Sequence, residues 1–132
     1  ETPAPDTLRQ ALAAMREAAD LTWVLLPGNH DSPGAPELWR RIATDGPTNL
    51  RALTSDAPVE LAAGIWLLPA PCTQRRPGRD LTEAMSVATP AGARRIGLGH
   101  GAITDFSGTN FSGEEGATGI IPPDRAQRSG LD

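Results

Sequence analysis

A chain of 132 residues has room for one small domain with a core and is short for two. Hydrophobic residues at 39% and charged residues at 21% exclude a disordered polymer, while 14 Gly and 13 Pro point to many turns and long loops. A net charge of −4 excludes a general attraction to nucleic acid, so contact with phosphate backbones would need a local basic patch or bound metal ions.

Residues 1 to 5 are Pro-rich and read as a connection. Asp6 is placed to cap a helix whose apolar positions Leu8, Ala11, Leu12, Met15 and Ala19 share one face, with Arg9, Arg16 and Glu17 outside and Asp20 at its end. Thr22 to Leu26 reads as an interior strand, because four apolar residues in succession suit a sheet covered on both sides. Pro27-Gly28 breaks it, and 29 to 35 form a loop with a turn at Ser32-Pro33-Gly34. Pro36 suits the first turn of a helix that carries Leu38, Trp39 and Ile42 inward and Arg40 and Arg41 outward, ending near Asp45-Gly46-Pro47. The expected task of that helix is to hold the preceding loop from its far side.

Beyond residue 49 the apolar runs shorten to Leu50 to Leu53, Val59 to Leu61 and Ile65 to Leu68, the last two close enough for a hairpin. Pro69-Ala70-Pro71 is expected to close the hairpin's second strand. Cys72 to Asp80, with Arg75, Arg76 and Arg79, is expected to be an exposed loop, read as solvated rather than as a phosphate contact. Leu81 to Val87 suits a short helix with Leu81, Ala84 and Met85 as its apolar side, and Arg95 to Leu98 a second interior strand ending at Gly99-His100-Gly101. Residues 104 to 119, rich in Gly, Ser, Thr and Asn, are expected to form a long mobile loop beside the site. Pro122-Pro123-Asp124 opens a short helix through Gln127, and Trp23, Trp39 and Trp66 are expected in the core.

The chemistry gathers at the end of the first strand, where Asn29, His30 and Asp31 follow one another on what reads as a catalytic loop at a sheet end. Asn29 is by default a turn residue, though its neutral amide oxygen can complete the shell of a divalent ion. His30 can donate a proton or a hydrogen bond to a phosphoryl or leaving oxygen, or it is simply a solvated loop His. Asp31 orients His30, or serves as a cap or ion-pair partner. His100 carries an imidazole suited to Zn, Fe or Mn, with a Gly on each side that lets backbone and metal approach closely; the alternative is a His satisfied at a strand end.

Leu26-Pro27-Gly28-Asn29-His30-Asp31 resembles the Gly-Asn-His-Asp/Glu motif of the calcineurin-like metallophosphoesterases, and Gly99-His100-Gly101, 70 positions further on, resembles the next histidine motif of that family. The wording is most similar to the DNA repair exonuclease branch, of the SbcD and Mre11 type. The resemblance implies an α/β fold, a partial four-layer α/β/β/α arrangement in which a β-sandwich is flanked by helices. It also implies a hydrolase with two divalent ions, Mn first and Fe, Zn or Mg as alternatives, which activate a water for in-line attack on phosphorus. Asn29 and His100 take the part of metal ligands in it, and His30 that of the acid or transition-state stabiliser, held by Asp31. The implied partners are a phosphodiester substrate, DNA in this branch, and an SMC-type ATPase subunit, with a homodimer left open. A small-molecule phosphatase or phosphodiesterase of the same fold is the alternative, and the acidic charge fits it better. A metal-free scaffold is the alternative outside enzymes.

The resemblance covers the middle two of five motifs. The chain contains no Asp-x-His, and neither His has a second His two residues away. The segment is therefore expected to be one domain from the centre of a longer enzyme, with the remaining ligands elsewhere, and to be inactive alone. Cys72 cannot form an internal disulfide and no apolar run approaches a membrane span, so the cytoplasm is the expected location.

Overall fold

The computed structural model describes residues 3–31, 35–72, 80–103 and 120–132. These residues form a mixed α/β structure of small sheets and short helices. Helix α1 (Pro5–Glu17) starts on a proline, whose missing N–H is one that a first turn leaves unbonded anyway. Its N-cap is Ala4, without a side-chain cap, so Asp6 is not the cap expected of it. Asp6 lies inside the first turn, where a carboxylate suits the positive end of the helix, and pairs with Arg9 at 3.3 Å. Leu8 and Leu12 are buried, whereas Ala11 and Ala19 stay exposed. The helix stops at Glu17, ahead of Asp20. Beyond its end Asn49 takes over: Nδ2 lies 2.9 to 3.0 Å from the carbonyl oxygens of Met15, Ala18 and Leu21, acceptors that a helix terminus leaves open. The Asn49 carbonyl in turn accepts from Trp23 N at 2.8 Å, which ties this corner to strand β1 (Trp23–Leu25).

Strand β1, helix α2 (Pro36–Asp45) and strand β2 (Leu50–Ala52) make a parallel unit with the helix as crossover, in the register Trp23↔Leu50 to Leu25↔Ala52. Helix α2 buries Leu38, Trp39 and Ile42, as its spacing demands, against Leu8 and Leu12 of α1 with Leu25, Leu50 and Ala52 beside them. Each such buried Leu or Ile contributes roughly 1.5–3 kcal/mol over its exposed state. Strand β1 is not the interior strand expected: its three residues are all half-buried, because among the described residues β2 is its one ladder partner.

Strands β3 (Val59–Ala62) and β4 (Ile65–Ala70) form the hairpin over Ala63-Gly64, with a bulge between Glu60 and Ala62. Strand β5 (Arg94–Gly99) runs parallel to β4 from Ile65↔Arg94 to Ala70↔Gly99. The interior strand is β4, whose Leu67 and Leu68 are 3% and 1% exposed; β5 lies at the edge and leaves Ile96 44% exposed, against the expectation for it. Strand β4 closes within Pro69-Ala70-Pro71 as expected, running through Pro69 to Ala70. The β3 ladder ends at Val59↔Leu67, so at residue 69 one flank of β4 has no described partner that would need an N–H.

A 3-10 helix, Leu81–Ser86, seats Met85 on β4 with Leu68, Ala70, Leu81 and Leu131. Gly97 of β5 makes this seat possible, since a β-carbon there would lie 2.6 Å from Leu131 Cδ1 and 2.8 Å from Met85 Sδ. Strands β6 (Ala102–Ile103) and β7 (Ile120–Ile121) pair in parallel, and helix α3 (Arg125–Arg128) follows. Arg95 fastens this end: its guanidinium donates to the carbonyls of Met85, Val87, Ser129 and Gly130 and to the Thr89 hydroxyl at 2.7 to 3.1 Å. Of the three tryptophans, Trp39 is buried and Trp23 and Trp66 are half-buried. The turn at Ser32-Pro33-Gly34, the Arg75, Arg76 and Arg79 loop and the loop from 104 to 119 lie outside the described residues, while Cys72, expected in an exposed loop, is buried. Among the described residues no helix is long and apolar enough to cross a membrane.

Among the described residues one ion pair is largely out of solvent. The Arg125 side chain, 6% exposed, donates to Asp80 Oδ2, and the other carboxylate oxygen of Asp80 accepts from the N–H and hydroxyl of Thr82. Burial pushes the Asp80 carboxyl up, but the bonds from Thr82 and Arg125 and the charge of Arg125 outweigh it and leave the group below its usual value. Since the folded pKa lies below the unfolded one, the contribution of Asp80 to stability is complete above about pH 3.9 and is lost as pH falls through the folded value. Asp80→Asn should cost about 3 kcal/mol at neutral pH, because it strands the Arg125 charge. Urea unfolding checks this, and the gap between variant and wild type should narrow as the pH is lowered below about 3.9.

Candidate functional site

Parallel strands deliver side chains in sequence order at their carboxyl ends, and clefts form where two such ends meet. Strand β1 ends at Leu25, and the chain continues through Pro27 and Gly28, both buried, into Asn29, His30 and Asp31. Strand β5 ends at Gly99 and is followed at once by His100. The two ends are joined close by, where Cys72 N, two residues past β4, donates to Pro27 O at 2.9 Å.

The ends meet at His100 and Asn29. Nε2 of His100 lies 3.0 Å from Oδ1 of Asn29, across 71 positions of sequence. An amide oxygen only accepts, so the bond has Nε2–H donating. Around it lies a cavity of about 330 Å³ lined by Leu26, Gly28, Asn29, His30, Asp31 and His100. All four residues singled out from the sequence therefore line one cleft. Asn29 and Asp31 are half-buried and both histidines are exposed to solvent.

The carboxylate of Asp31 accepts from Gly28 N at 2.6 Å, which closes the loop on itself. Its carbonyl oxygen accepts from Nε1–H of Trp39 at 2.6 Å, so helix α2 holds the loop from the far side through one indole. Gly28 is the floor beneath the contact: a β-carbon there would lie 3.1 Å from His100 Cε1, and 3.2 Å from both His100 Nδ1 and Asp31 Oδ1. Neither Gly28 as a platform nor the Trp39 indole was singled out from sequence. The only trace of the first is a glycine next to the ligand-like triplet, and the second has no local signature.

A divalent ion with bonds of about 2.1 Å to an imidazole nitrogen and an oxygen at right angles holds these atoms about 3.0 Å apart. The Asn29–His100 separation of 3.0 Å fits that edge. With Nδ1 turned over Gly28, Nε2 is the nitrogen presented to the cavity. Among the described residues no group of three or more His, Cys, Asp or Glu is gathered to hold an ion.

Comparison with protein-family models, curated proteins and solved structures gives no match to this chain.

Gly28→Ala should push the His100 ring off Asn29 while leaving the fold in place, because the new methyl needs its neighbours to give by a few tenths of an ångström and the exposed His100 ring is free to do so. The check is the imidazole nitrogen signals of His100 in a 15N NMR spectrum of the metal-free protein. They should move in the variant, with unfolding free energy lowered by no more than about 1 kcal/mol.

Proposed function

We propose that this chain is the central part of a metal-dependent phosphoesterase that hydrolyses phosphodiester bonds, with two divalent cations, Mn before Fe, Zn or Mg, as its cofactors. The observation that carries the reading is the 3.0 Å approach of Asn29 Oδ1 and His100 Nε2 at the ends of two strands. It brings together the two motifs that resemble those of the calcineurin-like family, at a hydrogen-bond separation that would also suit two ligands of one cation. In the finer architecture proposed, the β1–β2 and β3–β5 sheets belong to a β-sandwich between helical layers. The remaining ligands come from chain outside this segment, and the location is cytoplasmic.

When bound, the cations offset charge on the phosphoryl oxygens and sharpen a water as nucleophile. The work of this chain is to place donors and a proton. Asn29 contributes a neutral oxygen, and His100 contributes Nε2 once its proton has left. His30, exposed on the cavity wall, donates to the departing oxygen. Asp31 keeps the loop that carries both in shape.

DNA is the substrate that the exonuclease branch implies, with an SMC-type ATPase as partner. A second reading, a small phosphodiester, is favoured by the net charge of −4 and by a cavity near the lower end of the range for small-molecule sites. Activity of the full-length gene product on linear duplex DNA against bis-p-nitrophenyl phosphate and nucleotides separates the two.

The full-length product stripped with EDTA should lose activity and regain it with Mn²⁺. Asn29→Ala and His100→Ala should each weaken Mn²⁺ binding about tenfold or more in calorimetric titrations. His30→Ala should leave Mn²⁺ binding intact and lower kcat by about 10²-fold or more. Wild-type affinity in the Asn29 and His100 variants would remove both residues from the metal site.

A further inference from the structure

Asp31 sits next to His30 in sequence, and the obvious part for it is to orient that ring. The structure gives its side chain a different bond. Asp31 Oδ1 accepts from the backbone N–H of Gly28 at 2.6 Å, which folds residues 28 to 31 into a closed ring of chain. Its backbone oxygen is held at 2.6 Å by the Trp39 indole, so residue 31 is bonded from two sides. The same Gly28 lies under the His100 ring: a point one bond above its α-carbon is 3.2 Å from Asp31 Oδ1 and 3.1 to 3.2 Å from two atoms of the imidazole. The carboxylate, the glycine and the imidazole are thus packed in sequence, and Asn29 and His30 are the residues suspended between the two ends of the closed ring, Asn29 next to Gly28.

We propose that Asp31 is the positioning residue of this site. Through its bond to Gly28 N–H it sets the Asn29 amide oxygen against His100 Nε2, and it acts by this geometry rather than by placing its charge beside His30. The role in cation binding rests on the function proposed above; the role in setting the Asn29–His100 contact does not.

Geometry and charge make opposite demands on the residue. Asp31→Asn removes the charge and keeps an oxygen at the same distance along the side chain, able to accept from Gly28 N–H. Asp31→Glu keeps the charge and carries it one methylene too far to close the same ring. In the full-length product, Asp31→Asn should bind Mn²⁺ within about threefold of wild type, and Asp31→Glu should lose about tenfold or more. In the metal-free protein the Asn29 side-chain amide and His100 ring signals should stay in place in the Asn variant and move in the Glu variant. Thermal unfolding of both variants shows whether the loss is local, because a general weakening of the fold would lower Tm without separating the two.

The reverse order, with Glu close to wild type and Asn impaired, would make the charge the active property and overturn the assignment. Equal, unshifted behaviour of both would do the same. If the wild-type protein binds no Mn²⁺, the proposed function fails, and the metal-free spectra alone decide whether Asp31 sets the contact.

Discussion

The candidate site depends on where two strands stop. Strands β1 and β5 belong to different sheets, yet their carboxyl ends lie side by side, and Asn29 and His100 touch because each is placed just beyond its strand. Bringing together groups 71 positions apart costs chain entropy, but that cost rises only with the logarithm of loop length. The intervening chain is not free loop, since α2, β2 and the β3–β4 hairpin occupy much of it, and α2 and β2 bury apolar side chains of their own. The decisive local bond is Cys72 N to Pro27 O, which brings the end of β4 up to the end of β1. Because β5 is in register with β4 as far as Ala70↔Gly99, His100 is then carried to the same edge.

Legibility in the sequence followed the range of the interaction. Helix α2 was readable in full, because Leu38, Trp39 and Ile42 repeat at helical spacing between Pro36 and Gly46, and each of those signals is local. The hairpin over Ala63-Gly64 was readable for the same reason. The order of strands in the sheet was not. Arg95 to Leu98 and Ile65 to Leu68 look alike as apolar runs, and which of them becomes interior is decided by β3 pairing on the far side of β4. Asp6 shows the same limit at smaller scale: an Asp before an apolar run suits a cap, but Pro5 already fixes the first turn one residue earlier. Asp80 and Arg125 were invisible as a pair, being 45 positions apart and each unremarkable alone.

At the site, residue types and order were readable while partners were not. Asn29, His30, Asp31 and His100 were marked by their chemistry and their glycine neighbours, and all four line the same cleft. What could not be read was that Asp31 bonds backwards to Gly28, or that an indole from α2 reaches the Asp31 carbonyl. Both bonds depend on how the chain turns after Pro27 and on where α2 lies, and neither is written in the local pattern of residue types.

The distribution of charge bears on what such a cleft can attract. Arg95 spends its donors on four backbone carbonyls and a hydroxyl, and Arg125 on Asp80, so these two guanidinium groups serve the architecture of the C-terminal end. The residues that line the Asn29–His100 cavity include a carboxylate and two imidazoles, and among them no Arg. A phosphodiester approaching a protein of net charge −4 would meet, from these residues alone, a neutral to negative wall. In the proposed function attraction would come from a cation held in the cleft. An amide oxygen and an imidazole nitrogen at the edge length of a divalent ion's shell are the donors suited to hold one. Under the proposed function the acidity of the chain and a phosphoester substrate would be compatible, because a bound cation rather than the side chains would supply the field that draws the substrate in.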